Sequence, residues 1–305
     1  MTSLEREDAG LITLGRRGGI TVVVDADGGG EVRSITTPFG VELLFQAPWT
    51  PRIHARGTDD TSWVAGWRGG WSLLFPNAGS ACEFDGRVHP YHGDAALSEW
   101  AVLHVDDVCA SLEFTDSSGI TVDRVHVVEE RSIAITTTIR NPTEVTFSFV
   151  AVDHLILGEQ FLTSQTVIRL PVGKRRNLDD HASDGRWEDI PNEPGQRFGC
   201  ITGIAEARAM VLSELVELSV QWEGELLDSL WYWVELASTL EEPWAGAVRC
   251  LGIEPATTTE TRGLAVAVAG GSARTLGPGA ITTFSTTLTI KTETEQAAIL
   301  QETSP

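Results

Sequence analysis

The chain has 305 residues, and 43 Asp and Glu against 22 Lys and Arg leave it a formal charge of −21 at pH 7. Its 42% hydrophobic and 21% charged content is globular and sufficient for a sizeable core, which excludes a disordered chain. The acidity argues against nucleic-acid or anionic-membrane partners, and no apolar run approaches the about 18 residues of a membrane span.

Residues 1–10 carry acids where a signal peptide needs a basic and then an apolar stretch. The four cysteines, Cys82, Cys109, Cys200 and Cys250, lie far apart with no CxxC pair. They read as free thiols in a reducing compartment, and the expectation is a soluble cytoplasmic protein.

Along the chain the dominant hydrophobic period is two. Short runs of strand type occupy residues 20–24 and 41–45, with the Asp27-Gly28-Gly29-Gly30 turn between them. After the turn Asp116-Ser117-Ser118-Gly119, apolar and polar residues alternate through 120–138 on either side of Glu129-Glu130-Arg131. That pattern predicts a hairpin with one face in water. Further strands are predicted at 146–152, 216–222, 264–269 and 281–290. The polar stretch 174–196 reads as a long loop at the rim, and only 205–215 and the tail 295–302 offer weak helical patterning. Many short strands without alternating helices, and no internal repeat, predict an all-β fold. The architecture expected is a large antiparallel β-sandwich in one domain spanning 1–305, with tails at 1–14 and 292–305.

Most chemical motifs are absent or weak. Asp25-Ala26-Asp27-Gly28 resembles the start of a calcium loop, but position twelve is Thr36 rather than Glu. His89 and His92 lack the HExxH context of a zinc site, so no metal is expected. There is no phosphate-cradling glycine loop and no GxSxG elbow; no cofactor is expected either. Tryptophan is the informative excess, ten against two tyrosines, clustered at Trp63, Trp67 and Trp71 and again at Trp231, Trp233 and Trp244. Indole can simply fill a core, or it can stack on the C–H face of a sugar ring. On one strand Trp231, Trp233 and Glu235 share a face, an arrangement that suits a carbohydrate groove.

Three stretches in order resemble the galactose mutarotase (aldose 1-epimerase) superfamily. The first runs Gly69-Gly70-Trp71-Ser72-Leu73-Leu74-Phe75-Pro76-Asn77-Ala78-Gly79, followed by Tyr91-His92-Gly93-Asp94 and Trp100-Ala101-Val102. The second, after Asn141-Pro142-Thr143, is Asp153-His154-Leu155-Ile156-Leu157-Gly158. The third is Pro243-Trp244 with Leu251-Gly252-Ile253-Glu254-Pro255-Ala256-Thr257, and Leu276-Gly277-Pro278-Gly279 resembles the family's closing segment. The likeness spans residues 15–291 and is closest to a less characterised bacterial branch. It implies a large antiparallel sandwich, in agreement with the periodicity.

The resemblance further implies an isomerase that interconverts the anomers of a free monosaccharide or small glycoside by acid–base ring opening. It implies His154 as general acid, Glu254 as general base and His92 as a sugar-orienting residue. Asn77, Trp231, Trp233 and Glu235 are the further substrate-binding candidates. Two family features have no match: an arginine is missing from 78–82, with Arg68 or Arg87 as substitutes. The sugar-binding aspartate is also missing, with Glu235, Glu223 or Asp228 nearby. Alternative readings on the same fold are a non-catalytic carbohydrate-binding protein and a lyase or glycoside-cleaving enzyme. The sole basic cluster, Lys174-Arg175-Arg176, reads as a solvated loop, so phosphorylated sugars are expected to be poor substrates.

Overall fold

The computed structural model describes residues 10–49, 57–177, 190, 193–223 and 225–293. Through the first third it runs β1 (Leu11–Leu14), β2 (Thr21–Asp25), β3 (Glu31–Thr36), the helix α1 (Asp60–Gly66), β4 (Trp71–Leu74), β5 (Cys82–Phe84) and β6 (Arg87–His89). The middle adds β7 (Ala101–Val105), β8 (Cys109–Thr115), β9 (Thr121–Val128), β10 (Ser132–Arg140), β11 (Phe147–Phe149), β12 (Val152–Leu157), β13 (Val167–Arg169) and β14 (Lys174–Asn177). Then come β15 (Gly195–Thr202), β16 (Arg208–Leu212), β17 (Val216–Glu223), β18 (Ser229–Leu236) and β19 (Arg249–Ala256). The helix α2 (Leu264–Ala269), β20 (Arg274–Leu276) and β21 (Ile281–Glu293) complete it.

Two antiparallel sheets carry the fold. One orders its nine strands β1-β2-β3-β4-β12-β19-β18-β15-β14, the other its eight strands β13-β16-β17-β21-β10-β9-β8-β7. The eight-stranded sheet behaves as its period predicts: β10 alternates, with Ile133, Ile135, Thr137 and Ile139 buried. The central strands of the other sheet do not alternate. β12 is buried at all six positions, and β18 and β19 are nearly so. Their inner faces (Leu155 and Leu157, Tyr232 and Val234, Leu251 and Ile253) join the inter-sheet core. Their outer faces are covered as well, by two smaller apolar clusters. A sheet face that is covered yet carries His154 and Glu254 is where a site can be dry.

Several elements differ from the sequence-based expectation. Residues 41–45 form isolated bridges, Thr36 to Glu42 and Leu44 to Leu157, rather than a strand. The stretch 205–215 contains β16, whose Ala209 and Val211 are buried in strand alternation. Conversely, residues 264–269 are helical: a short run of Leu, Ala and Val fits either period, and Leu264 and Ala267, three apart, both face inward. The segment expected as a loop from 174 opens with β14 and closes into β15; residues 178–189 and 191–192 lie outside the described residues. Leu11–Leu14, expected in a tail, pairs with β2, and the helical stretch expected at 295–302 lies outside the described residues. No helix among the described residues is long and apolar enough to cross a membrane.

Candidate active site

His154 and Glu254 are a hundred residues apart in sequence and neighbours on the sheet. β12 and β19 are antiparallel with Val152 opposite Ala256 and Leu155 opposite Ile253, a register that sets His154 across from Glu254 on the outer face. Their side chains approach to 3.8 Å, Nε2 to Oε2, with side-chain exposures of 8% and 4%. At that separation neither group is locked to the other by a hydrogen bond. Burial pushes the Glu254 carboxyl up to about 8; a carboxylate in a dry, uncompensated setting holds its proton. Room for that carboxyl comes from Gly252, where an added Cβ would overlap Glu254 Oε1.

His92 arrives from a turn rather than from the sheet. It has a positive φ of 63°, followed by Gly93 at 81°, and the backbone N–H of Gly79 donates to its Nδ1 at 3.1 Å. An Nδ1 that accepts leaves the neutral ring's proton on Nε2. The His92 ring is 5.5 Å from that of His154. Asn77 is the brace for this turn: its amide nitrogen donates to the carbonyls of Ser80 and Pro90, and its oxygen accepts from Leu264 N at the start of α2. Fully buried and absent from the cavity wall, Asn77 holds the sugar-orienting candidate in place instead of facing a substrate, a correction to its expected role.

These groups form the floor of a cavity of about 460 Å³ walled by Trp63, Trp67, Tyr91, Trp231, Trp233 and Trp244. Trp63 stands edge-on to His92 at 4.6 Å, and Trp67 lies 5.9 Å from His154. Trp231 is fixed by its Nε1–H, which donates to the Thr258 carbonyl; Trp233 packs edge-on against Trp244 at 5.7 Å. The tryptophan pair expected in a groove is therefore in the wall. Glu235 is not: its carboxylate accepts from the amides and hydroxyls of Ser238 and Thr239, capping the turn after β18. Trp71, third of the first cluster, faces the opposite way and donates to Asp153 inside the sandwich.

The wall also holds residues that sequence reasoning missed, namely Asp60, Gln196 and Phe198. The signal for Asp60 was present. Asp59 caps α1 by accepting from Ser62 N, and the run Asp59-Asp60-Thr61-Ser62 before Trp63 is an N-terminal helix signature. Once that helix is placed, Asp60 and Trp63 share one side of it. Neither Arg68 nor Arg87 reaches the cavity, and neither do Glu223 or Asp228; the second carboxylate of the site is Asp60.

By sequence, no family model matches the chain and no curated protein is significantly similar to it. By structure, a protein from Klebsiella pneumoniae described as a candidate aldose 1-epimerase superposes over 96% of this chain and 82% of its own, with 16% identity and a TM-score of 0.77. An Escherichia coli protein of the same description covers 92% and 98% at 18% identity and a TM-score of 0.67. A galactose mutarotase related enzyme from Lactobacillus acidophilus covers 93% and 98% at 12% identity and a TM-score of 0.65. These superpositions show that the chain shares the antiparallel β-sandwich fold of these mutarotase-like structures.

Proposed function

We propose that the protein is an aldose 1-epimerase-type isomerase that interconverts the anomers of a free sugar. The observation that carries this reading is the facing pair His154 and Glu254, 3.8 Å apart on the floor of an aromatic cavity. Ring opening requires one group to take the anomeric hydroxyl proton while another delivers a proton to the ring oxygen. Glu254 as carboxylate fills the first role and protonated His154 the second. The C1–O5 bond then breaks, the aldehyde turns about C1–C2, and closure returns both protons to where they began. A base whose proton affinity lies near neutrality suits both halves of this reversible transfer, and burial gives Glu254 that property. His92, with its proton on Nε2, is a donor to a sugar oxygen, and the tryptophan wall matches the apolar face of a pyranose.

The test is one-dimensional exchange NMR or polarimetry on freshly dissolved α-aldoses. Equilibration faster than buffer, abolished by Glu254→Gln, is the expected result. If a folded preparation leaves every aldose tested at the buffer rate, the isomerase reading is wrong, and binding without acceleration would identify a carbohydrate-binding protein.

A further inference from the structure

The cavity wall has an unusual charge pattern for a site that holds a polyol. Among the described lining residues there are two carboxylates, Asp60 and Glu254, and two imidazoles, but no lysine or arginine. Seven large aromatic side chains line the same space, and indole faces attract cations. Among the described residues Asp60 Oδ1 accepts from its neighbour Thr61, and its second oxygen is the one placed to meet a ligand. Tyr91, which lines the cavity with both acids, feels them together: after burial, the charges of Asp60 and Glu254 raise its hydroxyl to about 12. The net charge of −21 adds a field that repels anions and draws cations toward the cleft.

We propose that the preferred occupant is a free sugar bearing an ammonium group, an amino-deoxy aldose, whose cation lies between the Asp60 carboxylate and the indole of Trp63. This deepens the anomerisation reading and rests on it for the sugar itself. An ammonium in the cavity also completes the chemistry. Burial keeps the proton on Glu254 near neutrality in the empty site, and a positive charge carried in by the substrate favours the carboxylate needed as base. No lysine or arginine among the described lining residues competes for Asp60, which leaves its carboxylate to a cation on the substrate.

The experiment compares glucosamine and galactosamine with glucose, galactose and N-acetylglucosamine at pH 6.5, where the amines are charged. Binding is read from intrinsic tryptophan fluorescence and anomer exchange by NMR. The expected result is at least tenfold tighter binding and higher kcat/KM for the amines than for their neutral parents. Asp60→Asn should reduce that ratio at least fivefold, while Asp60→Glu should retain most of it. Equal or better handling of the neutral sugars, or a ratio unchanged in Asp60→Asn, overturns the proposal and leaves the isomerase reading standing. Asp60-dependent binding of the amines without anomer exchange supports the proposal and removes the isomerase reading instead.

Discussion

Glu254 concentrates the behaviour of the site in one side chain. Its carboxyl is lifted from an ordinary value of 4.5 to about 8 by burial. The folded chain therefore holds a proton between those pH values that the unfolded chain has released, and stability falls as pH rises through that window. Glu254→Gln removes this loss, and its Tm at pH 8 is expected to exceed that of the unaltered protein, as measured by calorimetry. The same substitution should slow anomerisation about 10²–10⁴-fold with sugar affinity largely kept, because the amide retains an acceptor but takes no proton. Because the reaction needs Glu254 as carboxylate and His154 protonated, kcat/KM should pass through a maximum with pH, with the Glu254 limb near 8; a flat profile from pH 6.5 to 9 would mean that another pair carries the reaction. Gly252→Ala is a finer probe, since its new methyl displaces the Glu254 carboxylate and not the backbone. We expect at least a tenfold loss of kcat with a Tm within a few degrees of the unaltered protein.

At the scale of elements, β12 joins the site to the core. His154 faces the cavity while its neighbour Asp153 faces inward, where it accepts from Arg124 of the opposite sheet at 2.9 Å and from Trp71 Nε1 at 2.8 Å. Both partners of that ion pair are fully buried. His126, on the same strand as Arg124, is pushed down to about 3 by burial and then by the Arg124 charge, so it stays neutral. Removing one partner strands a charge in low dielectric, so Asp153→Ala should cost about 3–5 kcal/mol in urea unfolding. Replacing Arg124 and Asp153 together by apolar residues should cost less than the two single changes summed. The strand expected at 146–152 covers β11 and ends where β12 begins; β12 and its double-sided burial were not legible, because Val152–Leu157 mixes Asp and His into an apolar run. The helix α2 shows the reverse failure, because its short apolar run satisfies two periods. Its Leu264 N–H is instead held by the distant Asn77, and no local pattern encodes that bond.

For the whole molecule the charge of −21 is the dominant global term. Like charges at this density repel one another in the compact state more than in the expanded one. Screening shortens their reach to about 8 Å at 0.15 M ionic strength. Raising NaCl from about 10 to 150 mM should therefore increase Tm by a few degrees, measured by differential scanning fluorimetry, and a fall in Tm would show that attractive surface pairs dominate instead.

The sequence by itself determined the sandwich, because a period of two with punctuated turns has few other ways to bury its apolar face. The motifs that resemble the mutarotase superfamily also pointed, through that resemblance, to His154, His92 and Glu254. What the tertiary structure decided is which polar groups are available. Asn77 and Glu235 stand beside the right motifs, yet their hydrogen bonds are committed to Pro90, Leu264, Ser238 and Thr239. Asp60 belongs to none of the family-like stretches, and a short helix capped by Asp59 carries it to the cavity. Availability depends on partners far away in the chain, and pattern along the chain records only which side chains can reach a face, not which of them remain unbonded there.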